Sequence, residues 1–119
     1  MIKILIIEDN NNLRENLTEI LELENYQVIT ASNGIIGAEK VILEYPDFIV
    51  CDISMPQKNG FELYIDVQSV LMNRKIPFIF MSANSQEKEI AEGKNLGVDA
   101  YLVKPFKTEE LLKTITALM

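Results

Sequence analysis

Glu8-Asp9, Asp52, Ser82 and Lys104 stand at the ends of short apolar runs, and together they supply three carboxylates, a hydroxyl and an ammonium group. Carboxylates gathered in one pocket repel by about 4 kcal/mol per pair at 4 Å in an effective dielectric near 20, so such a group requires a counter-ion. Ligands that are all oxygen suit a hard divalent cation, Mg²⁺ ahead of Ca²⁺. The chain has no histidine, which excludes Ser-His-Asp and Cys-His triads, H-E-x-x-H zinc sites and an internal phosphohistidine. The EF-hand, P-loop and G-x-G-x-x-G patterns are absent, the nearest glycine pairs being Gly34 with Gly37 and Gly93 with Gly97, so no nucleotide cradle is expected. Cys51 is alone and lies inside an apolar run, where cysteine behaves as a small hydrophobe.

The elements that position these groups are five apolar runs, Ile2 to Ile7, Gln27 to Thr30, Phe48 to Cys51, Pro77 to Met81 and Ala100 to Val103, separated by stretches of helical spacing. Runs that are nearly continuous rather than alternating predict parallel strands covered by helices on both faces, an α/β sandwich of five βα units. The carboxyl ends of parallel strands share one edge of the sheet, where ligands bind in such folds. A single polar residue there is what any loop shows; acids from two strands, a hydroxyl and a lysine on one edge make a site. Strand order 2-1-3-4-5 makes strands one and three neighbours and 3-2-1-4-5 separates them, so bringing Asp9 to Asp52 favours the former.

The first helix is expected to follow a cap at Asn12, with Glu15 three residues on, to carry Leu13, Leu17, Ile20 and Leu21 on one stripe, and to end at Asn25. The second follows Ser32-Asn33-Gly34 with Ile35, Ala38, Val41 and Ile42 inward, and Pro46 stops it. The third, Phe61 to Met72, offers Phe61, Tyr64, Ile65 and Leu71, a stripe interrupted by Gln68. The fourth runs from about Gln86, after a Ser85 cap, to Leu96; its apolar residues are only Ile90, Ala91 and Leu96, with Gly93 inside. An interior Gly costs about 1 kcal/mol relative to Ala, so this helix is expected to be the most weakly anchored. The fifth is capped by Thr108 and carries Leu111, Leu112, Ile115 and Leu118.

A length of 119 residues, 48% of them hydrophobic, predicts one domain over residues 1–119. Its net charge of −7 repels phosphate backbones and anionic headgroups, so binding of nucleic acid or membrane by this domain alone is not expected. The longest uninterrupted stretch of apolar residues is four, as in Ile4 to Ile7, far below the roughly 20 that span a bilayer and too short for a signal peptide, which predicts a cytoplasmic address.

Ile7-Glu8-Asp9, Asp52-Ile53-Ser54-Met55-Pro56 with Gly60, Ser82-Ala83, and Tyr101 with Lys104-Pro105-Phe106 stand in an order and spacing that is specific as a set. By these pieces the whole chain resembles the receiver domain of two-component response regulators, of the chemotaxis-regulator type. The resemblance implies a flavodoxin-like (βα)5 three-layer sandwich, doubly wound around a parallel sheet of order 2-1-3-4-5. It implies that Asp52 accepts a phosphoryl group from a histidine kinase or histidine phosphotransfer protein. It also implies a Mg²⁺ ion held by Asp9, Asp52 and the Ser54 backbone carbonyl, with Glu8 acting through water. Lys104 and Ser82 would then receive the phosphoryl oxygens, and Lys104-Pro105 would be cis. Ser82 and Tyr101 would form a switch that changes the face made by the fourth helix, fifth strand and fifth helix, a face open to a partner or a second copy. In the family, the positions held here by Ser54 and Asn84 tune the phosphoryl lifetime, and Ala100 and Thr114 stand where regulators with winged-helix DNA-binding domains usually carry the acidic and basic residues of their salt-bridged dimer. A pure interaction module would be signalled by loss of Asp52, Asp9 or Lys104. A Mg²⁺-dependent phosphohydrolase needs a second acid two residues beyond the nucleophile, where Ser54 stands, so a switch rather than an enzyme with its own substrate is expected.

Overall fold

The computed structural model describes residues 1–83 and 87–119, residues 87–89 as backbone alone; the expected Ser85 cap, the helix start near Gln86 and the tuning position Asn84 lie outside them. Five strands, β1 (Lys3–Ile7), β2 (Gln27–Ala31), β3 (Phe48–Asp52), β4 (Phe78–Ser82) and β5 (Ala100–Val103), alternate with five helices, α1 (Asn11–Leu23), α2 (Gly34–Leu43), α3 (Gly60–Arg74), α4 (Glu87–Leu96) and α5 (Thr108–Leu118). The strands form one sheet in the order β2-β1-β3-β4-β5, every neighbouring pair parallel. This is the expected doubly wound fold.

Strand side chains alternate between two cores, as the period of two requires. Leu5, Ile7, Ile49, Cys51, Phe78 and Phe80 meet Val41 of α2 and Leu63, Tyr64, Val67 and Leu71 of α3 on one side. Ile4, Ile6, Val50, Ile79, Met81 and Leu102 meet Leu17 and Leu21 of α1 and Leu111 and Ile115 of α5 on the other. With both faces covered, β3 and β4 are buried at all five positions, which is why their sequences read as continuous apolar runs.

Three helices begin on asparagine caps. The side chains of Asn10, Asn33 and Asn59 accept from the N–H groups of Leu13, Ile36 and Glu62, and the Glu62 side chain accepts in return from the Asn59 N–H to complete a capping box. The cap of α1 is therefore Asn10, two residues before the expected Asn12, and α5 starts at Thr108 from Lys107 without a side-chain cap bond. Asn25 follows α1 at φ 67°, the left-handed turn that asparagine tolerates after a helix.

The inward stripes of α2 and α3 differ from those expected. In α2 the buried residues are Gly34, Gly37 and Val41, while Ile35 and Ile42 are 46% and 47% exposed. In α3 they are Gly60, Leu63, Tyr64, Val67 and Leu71; Ile65 is exposed, and Gln68 lies off the stripe rather than interrupting it. Glycines on the buried faces are the cause. A Cβ on Gly37 would come within 2.8 Å of Ile7 Cδ1 and 3.0 Å of Leu63 Cδ1, and one on Gly34 within 2.5 Å of the Lys58 carbonyl oxygen. Only glycine lets α2 approach the sheet and the β3–α3 loop so closely.

Candidate functional site

The carboxyl ends of β1, β3, β4 and β5 place Glu8-Asp9, Asp52, Ser82 and Lys104 at one edge. Glu8 continues the ladder past β1, its N–H donating to the Ala31 carbonyl at 3.0 Å, and it is 1% exposed. Asp9, one residue further along the turn, is exposed. Asp52 is the last residue of β3, in register with Met81, and is buried. One carboxylate oxygen from each of Glu8, Asp9 and Asp52 lies within 4.8 Å of the other two, the convergence that motivates a cation.

Lys104 reaches across from the end of β5. Its Nζ donates to Glu8 Oε1 at 2.7 Å and to Asp52 Oδ1 at 3.3 Å, while its backbone N–H donates to the Ser82 carbonyl at 2.7 Å. The Lys104-Pro105 peptide is cis. Glu8 is held further by the Asn10 N–H on Oε2 at 3.2 Å and by Arg14 Nη1 on its backbone carbonyl at 2.8 Å. Every buried side-chain nitrogen and oxygen among the described residues has a hydrogen-bond partner.

Electrostatics follow from this packing. Burial pushes the Asp52 carboxyl up to about 7; the nearby Glu8 charge adds to the rise and Lys104 opposes it. Burial works against the Lys104 ammonium, yet its bonds and proximity to Glu8 and Asp52 prevail and hold it above the ordinary lysine value. Cys51 is raised well above the usual thiol range, by burial first and then by Asp52 and Glu8. Its Sγ donates to the Asp52 carbonyl at 3.2 Å, consistent with an inert core thiol.

The remaining candidates are arranged around this centre. Ser82 is fully buried at the end of β4, paired in register with Val103. Ser54 is exposed in the β3–α3 loop two residues past Asp52, and Ala83 is exposed beyond Ser82. That loop is tied back by the Gly60 N–H to the Ile53 carbonyl at 2.8 Å, a contact for which Gly60 is required because a Cβ there would lie 2.6 Å from the Asp52 carbonyl oxygen. Tyr101 sits half-buried on β5, on the α3 side of the sheet. Absent from the sequence reading were the pairing of Lys104 with Glu8 as its nearer partner and the support of Glu8 by Arg14 and Asn10. Arg14 stands six residues after Glu8, so a basic residue early in a helix that follows an acidic strand end was the available signal.

A parallel 2-1-3-4-5 sheet bearing three acids and a lysine at its carboxyl edge defines an α/β domain of the chemotaxis-regulator fold. The chain belongs to the response regulator receiver domain family, whose model matches residues 4–116. It is 37% identical over 119 residues to the response regulator ArlR of Staphylococcus aureus, covering 100% of this chain and 53% of that protein; it thus spans about half the length of the curated relatives it matches. Among solved structures it superposes on the chemotaxis response regulator CheY4 of Vibrio cholerae with TM-score 0.91 and 30% identity, covering 100% of this chain and 99% of that one. It also superposes on the response regulator TrrA of Thermotoga maritima in complex with Mg²⁺–BeF, with TM-score 0.88 and 29% identity over 100% of both chains. Receiver domains are signalling switches of two-component systems, and no helix among the described residues is long and apolar enough to cross a membrane.

Proposed function

We propose that this domain is a phosphorylation-dependent switch in which Asp52 takes a phosphoryl group from a histidine kinase or histidine phosphotransfer protein. The observation that carries the reading is the convergence on Asp52. It is a buried carboxylate with two further acids within 4.8 Å and an ammonium that bridges it to Glu8.

In the transfer, an Asp52 carboxylate oxygen forms the bond to phosphorus as the P–N bond of the donor breaks, and the electron pair leaves with the imidazole nitrogen. Asp52 must be ionised to attack, and burial together with the nearby Glu8 charge works against that ionised form, with Lys104 opposing them. The donors present fit Mg²⁺, being all oxygen and clustered at one edge. Glu8, Asp9, Asp52 and the Ser54 backbone carbonyl would hold it, and when bound it supplies positive charge that favours the ionised acid and offsets charge on the transferring oxygens. The Mg²⁺–BeF complex of TrrA supports the same use of the site here.

Lys104 would also serve the transferring oxygens, its ammonium already held at Glu8 and Asp52. Ser82 would donate its hydroxyl to the new acyl phosphate, and Ala83 keeps the approach open. The acyl phosphate adds negative charge and strong acceptor oxygens at the end of β3, and closure of Ser82 on them is the step that alters Tyr101 and the α4–β5–α5 face. That face meets a downstream partner or a second copy.

Incubating the protein with a small acyl-phosphate donor and reading its intact mass tests this. One phosphoryl group should be gained in Mg²⁺ and none in EDTA, with Asp52→Asn unmodified in both. An unchanged wild-type mass under excess donor and Mg²⁺ would overturn the proposal.

A further inference from the structure

Gly93 lies in the middle of α4 and is buried. A Cβ placed on it would lie 3.2 Å from both Cδ2 and Cε2 of the Tyr101 ring and 3.5 Å from Phe80 Cδ2. The backbone of α4 therefore rests against the Tyr101 ring, with Phe80 as the wall beside it. Phe80 is fully buried. Phe61 packs edge-on against it at 5.2 Å and Phe78 at 5.1 Å, and Tyr64 lies 6.0 Å away. Elsewhere on the same Phe80 ring, a Cβ at Gly60 would lie 3.2 Å from Cε1.

We propose that Gly93 is the seat of the Tyr101 ring, a glycine retained so that ring and helix fit together against Phe80 and cannot move independently. The cost of an interior glycine to helix propensity is then the cost of this contact. With so few apolar anchors elsewhere along α4, the ring is a principal determinant of where the helix lies. Movement of the Tyr101 ring toward α4 displaces the helix, and a partner that fixes α4 limits the ring, since coupling between two sites is reciprocal. This deepens the switch reading by naming its steric joint, and it holds for the unphosphorylated protein, so the two can fail separately.

The test is a double-mutant cycle on the unphosphorylated domain, read by urea denaturation at constant slope. Gly to Ala in an unobstructed helix interior strengthens folding about fivefold in equilibrium constant. Gly93→Ala in the wild-type background should forfeit that gain and weaken folding, whereas in the Tyr101→Ala background, where the ring is gone, it should recover the gain. Tyr101→Phe keeps the ring and should give no recovery, which separates sterics from any role of the hydroxyl. If Gly93→Ala alone fails to fold while the double variant folds, the coupling is equally shown. Equal gains, or equal losses, from Gly93→Ala in the wild-type and Tyr101→Ala backgrounds would overturn the proposal.

Discussion

Lys104 makes its closest contact with Glu8, at 2.7 Å, and reaches Asp52 at 3.3 Å. Glu8 is almost wholly buried and Lys104 only one-fifth exposed, so the lysine holds Glu8 and Asp52 together. Removing one partner of a buried pair leaves an uncompensated charge, at about 3–5 kcal/mol when both are fully buried. Because Lys104 keeps some contact with water, Lys104→Met should destabilise the metal-free protein by about 2 kcal/mol, and Glu8→Gln in the same chain should recover most of that loss. Chemical denaturation of wild type and the two variants in EDTA checks it; a Lys104→Met variant as stable as wild type would show that the pair is not structural. The residues of the cluster were legible in the sequence because each ends an apolar run. Their pairing was not, since a contact between positions 8 and 104 is fixed by strand order and side-chain reach rather than by local pattern.

Among the elements, the strands were legible nearly to the residue, the central ones because burial on both faces leaves a continuous apolar signature. The stripes of α1 and α5 were legible too, with Leu17, Leu21, Leu111 and Ile115 buried; those of α2 and α3 were not, and α2 shows why. Its large apolar side chains, Ile35 and Ile42, face outward, while the face against the sheet is built on Gly34, Gly37 and Val41. A pattern that scores bulk misplaces the helix by part of a turn. The same holds in α3, where Gly60 belongs to the buried face and Ile65 does not, and in α4, where Gly93 reads as weakness in sequence and lies buried against an aromatic ring. The consequence is measurable. Ile42→Lys should change stability by no more than about 0.5 kcal/mol, whereas Val41→Ala, at a fully buried position, should cost about 2 kcal/mol. Thermal melts of the two variants distinguish the phases, and the opposite ranking would reinstate the outward-facing stripe as the core.

For the molecule as a whole, the acid site and the α4–β5–α5 face are connected through β4 and β5. Ser82 sits beside the site, and Lys104 ties its backbone to Ser82 at 2.7 Å, while Tyr101, three residues before Lys104, carries α4 on its ring. A phosphoryl group that gains hydrogen bonds in only one placement of these elements shifts their populations by its differential interaction energy; about 5.5 kcal/mol moves 1:99 to 99:1. Amide hydrogen exchange with and without Mg²⁺ and beryllofluoride, the pair present in the TrrA complex, should therefore show altered protection in α4 and β5 as well as around Asp52. Ser82→Ala should retain the change near Asp52 and lose most of the change in α4. Protection changes confined to the loops after β1 and β3, or a wild-type response from Ser82→Ala, would break the link between site and face.

Substitution alone would not establish Asp52 as the proposed phosphoacceptor, because Asp52→Asn would remove a proposed cation ligand together with the acceptor. Borohydride reduction of the acyl phosphate, followed by peptide mapping of the Mg²⁺- and donor-treated protein, reads the position directly, since only the phosphorylated aspartate is converted to homoserine. The predicted result is homoserine at position 52 with Glu8 and Asp9 unchanged. Reduction at Asp9, or recovery of unmodified Asp52 from protein whose mass shows a phosphoryl group, would contradict it.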